Sequence, residues 1–312
     1  MKRILVTGGA GYVGSVLVPK LLARGYRVRV LDSLMYRQTS LIPFCLHDGL
    51  EFMRGDIRDE GAVNQAVDGV DCIIHLAAIV GAPACARDTR TAQEVNYEAT
   101  SMLSRCRGRS QGFIFASTGS NYGTVDNICT EETTLNPLSV YGISKTQAET
   151  ELLDDGNAVV YRFATAFGLS PRLRLDLMIN DFTFQAVRNR QLIVYEKGFR
   201  RTFIHVHDMA RAFLHALENY ERMEGKAYNV GHESLNFTKE EIATAIQSRV
   251  DYHLHFADIG SDPDKRDYEV SYEKIRATGY ETEIDLEEGI RELVKGYQMI
   301  GLQSPYSNVE SW

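Results

Sequence analysis

The chain has 312 residues, of which 44% are hydrophobic and 24% charged, as in an ordinary water-soluble globular protein. Asp and Glu outnumber Lys and Arg by 42 to 34, which gives a net charge of −8. This acidic balance argues against nucleic acid or an anionic membrane as a partner. The length fits two domains or one large α/β unit.

Five cysteines occur without any C-x-x-C pair that would indicate a zinc or redox site: Cys45, Cys72, Cys85, Cys106 and Cys129. We therefore expect reduced thiols and no metal centre. The N-terminus runs directly into a strand pattern without a signal peptide. No apolar stretch approaches the roughly 20 residues that span a bilayer. These features predict a cytoplasmic protein.

The first half of the chain alternates short apolar runs with amphipathic segments. The runs predict strands at residues 3–7, 27–31, 50–53, 72–76, 113–116 and 158–163. The amphipathic segments predict helices at residues 15–24, 92–106 and 141–153. This alternation predicts an α/β fold, a doubly wound parallel sheet with helices on both faces.

The second half is less regular. Helices are expected at residues 177–188, 239–249 and 286–299, and strands at 203–206 and 227–230 that return to the main sheet. Thr238 followed by Glu241 indicates a capping box at the start of the helix at 239. We interpret the segments after about residue 170 as a smaller lobe that crosses back to the sheet.

A glycine-rich loop follows the first predicted strand and precedes the first helix, in the order Thr7-Gly-Gly-Ala-Gly-Tyr-Val-Gly14. Gly8 permits a tight turn, Gly11 lets the backbone approach a pyrophosphate, and Gly14 lets the helix pack on the sheet. The helix N-terminus then offers N–H groups to phosphate. This context predicts a dinucleotide site, with Tyr12 and Val13 in the loop.

Asp32 ends the second strand, about 20 residues past the loop. A carboxylate there accepts hydrogen bonds from the adenosine ribose and repels a 2′-phosphate, which favours NAD over NADP. Asp56 and Ile57 follow the third strand, where Asp56 could face adenine or simply form a turn. We assign residues 1–170, with 203–231 returning, to an NAD-binding Rossmann domain, and 171–202 with 232–312 to a substrate-binding lobe.

Tyr141 and Lys145 are four residues apart in a predicted helix, so they share one face. An ammonium beside a phenol favours the phenolate and would make Tyr141 a general base near neutral pH. The strand at 113–116 leads into Ser117 and Thr118 at the edge where α/β folds bind ligands. A hydroxyl there can hydrogen-bond a sugar oxygen during oxidation.

Together these motifs resemble the extended short-chain dehydrogenase/reductases of the nucleotide-sugar epimerase/dehydratase group. The likeness spans nearly the whole chain and includes His75-Leu-Ala-Ala78, Val95-Asn96, Tyr122-Gly123, Arg201, His205-Val206 and Asp208. It implies an NAD-dependent enzyme in which Tyr141 is the base, Thr118 its partner and Lys145 also a ligand of the nicotinamide ribose. It also implies a homodimer formed through the helices at 92–106 and 141–153.

The same resemblance implies further contacts. Leu76, Ala77 and Ala78 would line the cofactor, and Asn96 would bind or support it. Asn180 would contact the nucleotide or the diphosphate of the substrate, and Arg201 and Arg266 would hold the diphosphate. The familiar Phe-Asn pair after the catalytic helix is replaced by Ala164-Thr165, and the usual context of Arg266 is also altered.

Several stretches, most of them in the predicted lobe, are similar to bacterial nucleotide-heptose C4 dehydrogenases. They contain the expected substrate ligands Val80, Gly81 and Arg172, together with residues 169–177, 180–183, 199–201 and 262–268. A GDP-linked heptose is therefore the expected substrate. The 4,6-dehydratases carry Asp-Glu where this chain has Gly119-Ser120, so dehydration is not expected.

Two outcomes of the first oxidation stay open on sequence grounds. Release of the 4-keto sugar would make a 4-dehydrogenase, and return of the hydride to the other face would make a 4-epimerase. A non-catalytic dinucleotide sensor would have no need of Thr118, Tyr141 and Lys145, and a methyltransferase would not explain Tyr141 with Lys145. His75, His205 and His207 lack the spacing of three metal ligands and are interpreted as structural.

Overall fold

The computed structural model describes residues 2–125, 127–257 and 269–300. Its strands, in chain order, are β1 Arg3–Thr7, β2 Arg27–Asp32, β3 Leu50–Arg54, β4 Cys72–His75, β5 Gly112–Thr118, β6 Val159–Phe163, β7 Thr165–Phe167, β8 Gln191–Tyr195, β9 Arg200–His205, β10 Lys226–Val230, β11 Asn236–Thr238 and β12 His253–Ala257.

The helices of the described chain vary from one turn to four. They are α1 Gly14–Ala23, α2 Glu60–Val67, α3 Ala82–Arg87, α4 Thr89–Gln93, α5 Ala99–Cys106, α6 Val140–Asp154, α7 Met178–Asn189, α8 Val206–Glu218, α9 Tyr220–Met223, α10 Lys239–Gln247, α11 Glu273–Arg276 and α12 Leu286–Met299. None of them is long and apolar enough to cross a membrane.

Seven strands form one parallel sheet in the order β10-β6-β5-β4-β1-β2-β3. Alternate side chains of a strand point to opposite faces, so Ile4 and Val6 enter one core while Leu5 enters the other. Helices α1 and α8 pack against each other on the first face, and α2, α5 and α6 cover the second. The predicted doubly wound parallel fold is confirmed.

A second layer of structure forms the smaller lobe. It contains a three-stranded sheet in the order β11-β9-β7 and a parallel pair, β12 with β8. Its own core surrounds Phe167, Ile179, Phe203 and Ile290. The prediction that residues 203–206 return to the main sheet is wrong: residues up to His205 pair with β7 and β11, and Val206 begins α8. The strand predicted at 227–230 does return, as β10.

The predicted capping box is present, since the Thr238 hydroxyl accepts the Glu241 N–H at 3.1 Å and the Glu241 carboxylate accepts the Thr238 N–H at 2.7 Å. The helix predicted at 92–106 is present as part of an unbroken helical run that begins at Thr89. It consists of α4 and α5 joined by a π-helical turn at Glu94–Glu98. The wider turn places the buried Asn96 side chain next to the loop that follows β4.

Candidate active site

One cavity of about 1120 Å³ runs along the carboxyl ends of β1, β2, β4 and β5 and under the smaller lobe. This is the edge at which parallel α/β sheets bind ligands, at the point between β1 and β4 where the strand order reverses. The volume exceeds the roughly 300–1,000 Å³ typical of a single small-molecule pocket. The cavity therefore has room for a dinucleotide and a second ligand together.

The glycine-rich loop forms the floor of the cavity. Gly8 has φ +69°, and a Cβ there would lie 2.7 Å from the Ala77 amide nitrogen. A Cβ on Gly14 would lie 2.5 Å from the Gly9 carbonyl oxygen, so glycine is needed for helix α1 to start against the loop. Gly11 lines the cavity, and a Cβ there would meet only the Gly8 carbonyl oxygen, at 3.1 Å. The loop thus leaves its backbone open to a ligand at Gly11.

Asp32 closes the cavity at the end of β2. Its Oδ2 accepts the Ala10 N–H at 2.9 Å, and its Oδ1 accepts the Leu34 N–H at 2.8 Å and the Gln38 amide at 3.2 Å. Burial raises the pKa of Asp32, and the two backbone hydrogen bonds and Arg172 oppose that rise. A carboxylate oxygen has two lone pairs, so Oδ2 can accept one further hydrogen bond.

Asp56 and Ile57 line the same end of the cavity. The Asp56 carboxylate pairs with Arg58 at 2.7 Å, and hydrogen bonds from the Arg58 side chain hold the pKa of Asp56 below its ordinary value. The carboxylate is therefore already engaged by a neighbouring cation. A contact of Asp56 with adenine stays a prediction.

Thr118, Tyr141 and Lys145 all line the cavity. Thr118 is the last residue of β5, and its hydroxyl donates to Ser120 Oγ at 3.2 Å and accepts the Ser120 N–H at 3.1 Å. Helix α6 begins at Val140 with Ser139 as its N-cap, whose hydroxyl accepts the Gly142 N–H at 3.1 Å. This cap fixes the first turn, which carries Tyr141.

Lys145 is 2% exposed, and its Nζ lies 3.8 Å from the centroid of the Phe115 ring. Burial lowers the pKa of Lys145 to about 7, while the charge of Glu149 opposes the shift. A buried ammonium over an aromatic face is held by a cation–π contact. Lys145 is therefore a positioned group that can exchange a proton near neutral pH.

The loop after β4 forms one wall, with Leu76, Ala77, Ala78, Val80 and Gly81 in the lining. The Leu76 N–H bonds the Thr7 carbonyl at 3.1 Å, which continues the β1–β4 pairing by one residue. Gly81 has φ +99°, and a Cβ there would approach the Arg174 guanidinium at 3.9 Å. Tyr12 and Val13 of the glycine-rich loop also line the cavity.

Three predicted ligands are absent from the lining of the cavity: Gly14, Asn96 and Asn180. Asn96 is fully buried, accepts the Ile79 N–H at 2.8 Å and donates to the Ile79 carbonyl at 2.9 Å, so it braces the wall from behind. Asn180 accepts the Gly168 N–H at 2.9 Å and donates to the Arg174 carbonyl at 2.9 Å. Both side chains thus hold backbone of the cavity wall, and a direct contact of either one with a ligand stays a prediction. Arg266 lies outside the described residues.

Arg172 and Arg201 both line the cavity and are almost fully buried. The Arg172 guanidinium lies 4.3 Å from the centroid of the Tyr36 ring and is close enough to Asp32 to influence its charge. This places Arg172 near the dinucleotide end of the cavity, whereas the sequence assigned it to substrate.

The predicted site residues did not include Tyr36, Gln38, Arg174 and Asp176, which also line the cavity. Arg174 donates to Asp176 through Nε at 3.1 Å and Nη2 at 2.5 Å, and both side chains are largely buried. The signal for Arg174 was its position two residues after Arg172 in a basic stretch. Tyr36 had none, because it lies in a loop that turns through left-handed conformations at Leu34 and Arg37.

The histidines occupy structural positions. His75 bonds Thr7 Oγ1 at 2.6 Å through Nδ1 and Thr100 Oγ1 at 2.9 Å through Nε2, and burial lowers its pKa to about 3. His205 bonds Glu292 at 2.8 Å. All five cysteines are free thiols, and within the described ranges no three His, Cys, Asp or Glu side chains converge on a metal position.

The arrangement fits a bound NAD. Glycine at position 11 leaves the loop backbone open for a pyrophosphate, Asp32 retains acceptor capacity for a ribose, and Lys145 and Tyr141 line the far part of the cavity. When bound, NAD supplies a hydride acceptor.

Comparison with known proteins agrees with this geometry. A sequence profile of the NAD dependent epimerase/dehydratase family matches residues 4–231. UDP-glucuronic acid decarboxylase 1 of Arabidopsis thaliana is 30% identical over 313 residues, which cover 95% of this chain and 70% of the relative. dTDP-glucose 4,6-dehydratase of Streptomyces niveus is 30% identical over 331 residues, covering 95% and 93%.

Among solved structures, the UDP-glucose 4-epimerase of Thermus thermophilus in complex with NAD matches with a TM-score of 0.82 at 28% identity, covering 95% of this chain and 99% of that one. Fold and site define an NAD-dependent Rossmann enzyme. The chain belongs to the NAD-dependent epimerase/dehydratase family. Its relatives catalyse different reactions, so the reaction of this chain has to be inferred from its own site residues.

Proposed function

We propose that the chain oxidises the C4 hydroxyl of a nucleotide-activated sugar and releases the 4-keto product, and that the sugar is a GDP-linked heptose. The observation that carries the proposal is that Thr118, Tyr141 and Lys145 share one cavity while Gly119 and Ser120 supply no carboxyl group beside them. The site thus holds a base for oxidation without the acid pair of the 4,6-dehydratases. The heptose assignment rests on the sequence resemblance of the lobe.

In this reaction the Tyr141 phenolate would accept the proton of the C4 hydroxyl. NAD, when bound, would supply the acceptor for the hydride on C4. The Lys145 ammonium stabilises the phenolate, and the Thr118 hydroxyl orients the sugar oxygen. Arg201, almost fully buried in the cavity wall, is placed to hold the diphosphate through its guanidinium. The chain itself changes by one proton on Tyr141.

A 4-epimerase is the second candidate, favoured by the similarity to the Thermus thermophilus UDP-glucose 4-epimerase. It uses the same first half-reaction and then returns the hydride to the other face of the sugar. The two candidates differ only in whether the keto sugar leaves.

Small molecules released by denaturing the purified protein should be identified first by mass spectrometry, because any co-purified nucleotide-sugar names the substrate. The protein is then incubated with NAD and a GDP-linked heptose, with UDP-glucose in parallel, and followed by absorbance at the NADH band and by proton NMR. Equal amounts of NADH and 4-keto sugar support the dehydrogenase. A C4 epimer without net NADH supports the epimerase, and no conversion of either sugar contradicts the proposal.

Replacing Tyr141 with Phe should lower the rate of conversion by about 100-fold to 10,000-fold, since a general base contributes that much. NAD affinity, measured by calorimetry, should stay near that of the wild type because the helix and the ring remain. Tyr161→Phe, which removes a buried hydroxyl bonded to the Ala212 carbonyl, is the matched control. Retained turnover in the Tyr141 variant would refute the role of Tyr141.

We also propose a cytoplasmic homodimer, consistent with the five free thiols. Helices α5 and α6 pack side by side, and Ile143 on α6 is 43% exposed. Sedimentation at micromolar concentration should give twice the mass of one chain, and Ile143→Asp should shift it toward the monomer.

A further inference from the structure

Helix α6 carries a third ionisable residue in line with the two predicted catalytic ones. Tyr141, Lys145 and Glu149 follow at intervals of four, so they share one face of the helix. Glu149 is only 1% exposed. The proposed proton transfer makes no use of it, yet a carboxylate this deeply buried is costly unless it is paired.

Four donors from three other segments surround the Glu149 carboxylate. Arg162 on β6 donates to Oε1 through Nε at 2.7 Å and lies 2.6 Å away through Nη2. The Ser117 hydroxyl at 2.5 Å and the Asn121 amide at 2.9 Å donate to Oε2. Arg162 is held in turn by the Tyr122 hydroxyl at 3.0 Å and the Glu131 carbonyl at 3.1 Å. The carboxylate therefore has a fixed position.

The fixed Glu149 carboxylate lies between two parts of the site, the end of the strand that carries Thr118 and the Lys145 ammonium. Ser117 immediately precedes Thr118 in β5, so its bond to Glu149 ties the end of that strand to α6. On the other side, the ionisable groups around the Lys145 ammonium are Glu149 and Tyr141 on α6, Cys85 on α3 and His75 at the end of β4. Burial keeps the Cys85 thiol and the His75 imidazole uncharged at neutral pH. Of these groups, Glu149 is therefore the one that can serve as a buried counter-ion of the Lys145 ammonium.

We propose that Glu149 is a positioning residue of the active site, which ties the Thr118 strand end to the catalytic helix and supplies the negative charge opposite the Lys145 ammonium. The two contacts from Arg162 fix the direction of the Glu149 carboxylate. In this arrangement Glu149 favours the charged form of Lys145, which is the form that stabilises the Tyr141 phenolate. The inference concerns the site of the proposed oxidation.

The test is a titration of Lys145 without any substrate. A negative result would leave the proposed oxidation standing, and a failure to find the oxidation would leave the result of the titration standing. The chain has few lysines, and protein labelled with [ε-¹³C]lysine gives one carbon resonance for each. Lys145→Arg identifies the resonance of Lys145 by its loss. Glu149→Gln should lower the midpoint of this resonance by about one pH unit, the effect of removing a neighbouring opposite charge.

Glu151→Gln is the matched control, because Glu151 is on the same helix but bonds Ser101 on α5. It makes the same change in net charge and should leave the Lys145 midpoint at the wild-type value. Equal midpoints in the two folded variants would overturn the proposal.

Glu149→Gln leaves Arg162 without its carboxylate and could prevent folding. The double variant Glu149→Gln with Arg162→Met removes the ion pair as a whole and serves in that case. The Lys145 midpoint should again fall, because Glu149 is the larger of the two groups that raise it. An unchanged midpoint in the folded double variant would also overturn the proposal. A purely structural Glu149 would change the melting temperature and leave the lysine midpoint in place.

Discussion

At the scale of single residues, the Asp32 carboxylate joins the glycine-rich loop to the loop after β2 through its bonds to Ala10 and Leu34. Protein groups already donate hydrogen bonds to both carboxylate oxygens. A further donor to this carboxylate therefore has to come from the cavity that Asp32 lines. That is the geometry in which a carboxylate discriminates between a ribose hydroxyl and a 2′-phosphate.

Asp32→Asn should weaken NAD binding about 10-fold to 100-fold, the value of a hydrogen bond to a charged group. The ratio of NADP affinity to NAD affinity should rise, because the repulsion of a 2′-phosphate is lost. Calorimetric titration of both dinucleotides measures the two effects. Asp48→Asn, at an exposed position, should change neither affinity. An unchanged NADP to NAD ratio in the Asp32 variant would contradict the role of Asp32.

His75 predicts a dependence of stability on pH. Its pKa is about 3 in the folded chain against an ordinary value of 6.5, so unfolding takes up a proton at pH values between the two. The free energy of unfolding therefore falls as the pH drops below 6.5, by up to about 1.4 kcal/mol per unit. His75→Gln, compared by urea unfolding at about pH 7 and about one and a half units lower, should lose less stability on acidification than the wild type. The exposed His253→Gln should keep the wild-type slope, and identical slopes in all three would refute the assignment.

Residues at the ends of regular elements were predictable, and residues that bond distant backbone were not. Gly8, Asp32, Thr118 and Tyr141 each follow or begin an element whose pattern is legible, and each reaches the cavity. Asn180 is an asparagine, a residue type that often binds ligands, but here its side chain bonds the backbone of Gly168 and Arg174. Those partners depend on the path that the chain takes between residues 168 and 180. No local pattern encodes that path.

At the scale of elements, α12 packs closely on the smaller lobe because glycine faces its neighbours. A Cβ on Gly289 would overlap the Phe167 ring, and one on Gly296 would lie 2.5 Å from the Leu169 side chain. The missing side chains let the helix axis approach β7. The bounds of α12 were nonetheless predicted correctly, because its apolar spacing is independent of these glycines.

Gly289→Ala has two effects of known size on stability, and they act in opposite directions. Alanine in a helix interior is better than glycine by about 0.5–1 kcal/mol, whereas overpacking a core costs about 1–3 kcal/mol. The ring contact decides the sign, so we expect a net loss of stability of about 1–2 kcal/mol and a lower melting temperature in calorimetry. Lys295→Ala, on the exposed face of the same helix, should change stability by less than about 0.5 kcal/mol. A melting temperature of Gly289→Ala above that of the wild type would show that the Phe167 ring moves aside.

Other elements escaped the sequence for physical reasons. The strand predicted at 203–206 has the apolar composition of a buried strand, but composition does not say which sheet a strand joins, and β9 joins the small one. The helix predicted at 92–106 contains a π turn, which shifts the periodicity by one residue without any change in residue type.

At the scale of the whole molecule, the glycine-rich loop is bonded to the smaller lobe as well as to its own sheet. The Tyr12 hydroxyl donates to the Gly168 carbonyl at 2.8 Å, and the Ser15 and Ser170 hydroxyls bond at 2.8 Å. Ser170 also donates to the Tyr12 carbonyl at 2.7 Å. The segment that begins the lobe therefore lies directly over the expected path of the dinucleotide.

Tyr12→Phe should cost about 1 kcal/mol of stability through the lost hydrogen bond and should speed NADH dissociation several-fold, because the lobe is held less firmly over the loop. Stopped-flow fluorescence of bound NADH measures the rate. Tyr161→Phe removes a similar buried bond, to Ala212 within the main core, and should lower stability without changing the rate. Equal dissociation rates in the two variants would contradict this coupling.

The chain passes between the main sheet and the lobe more than once, and at the first passage only Ala164 separates β6 from β7. The lobe is therefore assembled from separate stretches of sequence, and part of the main sheet, β10, is encoded between them. A single recombination event cannot exchange such a lobe for that of a relative. New substrates in this lineage have to be acquired by substitutions and short insertions within a fixed framework, and an engineer who wishes to transplant the lobe must make several joins at once.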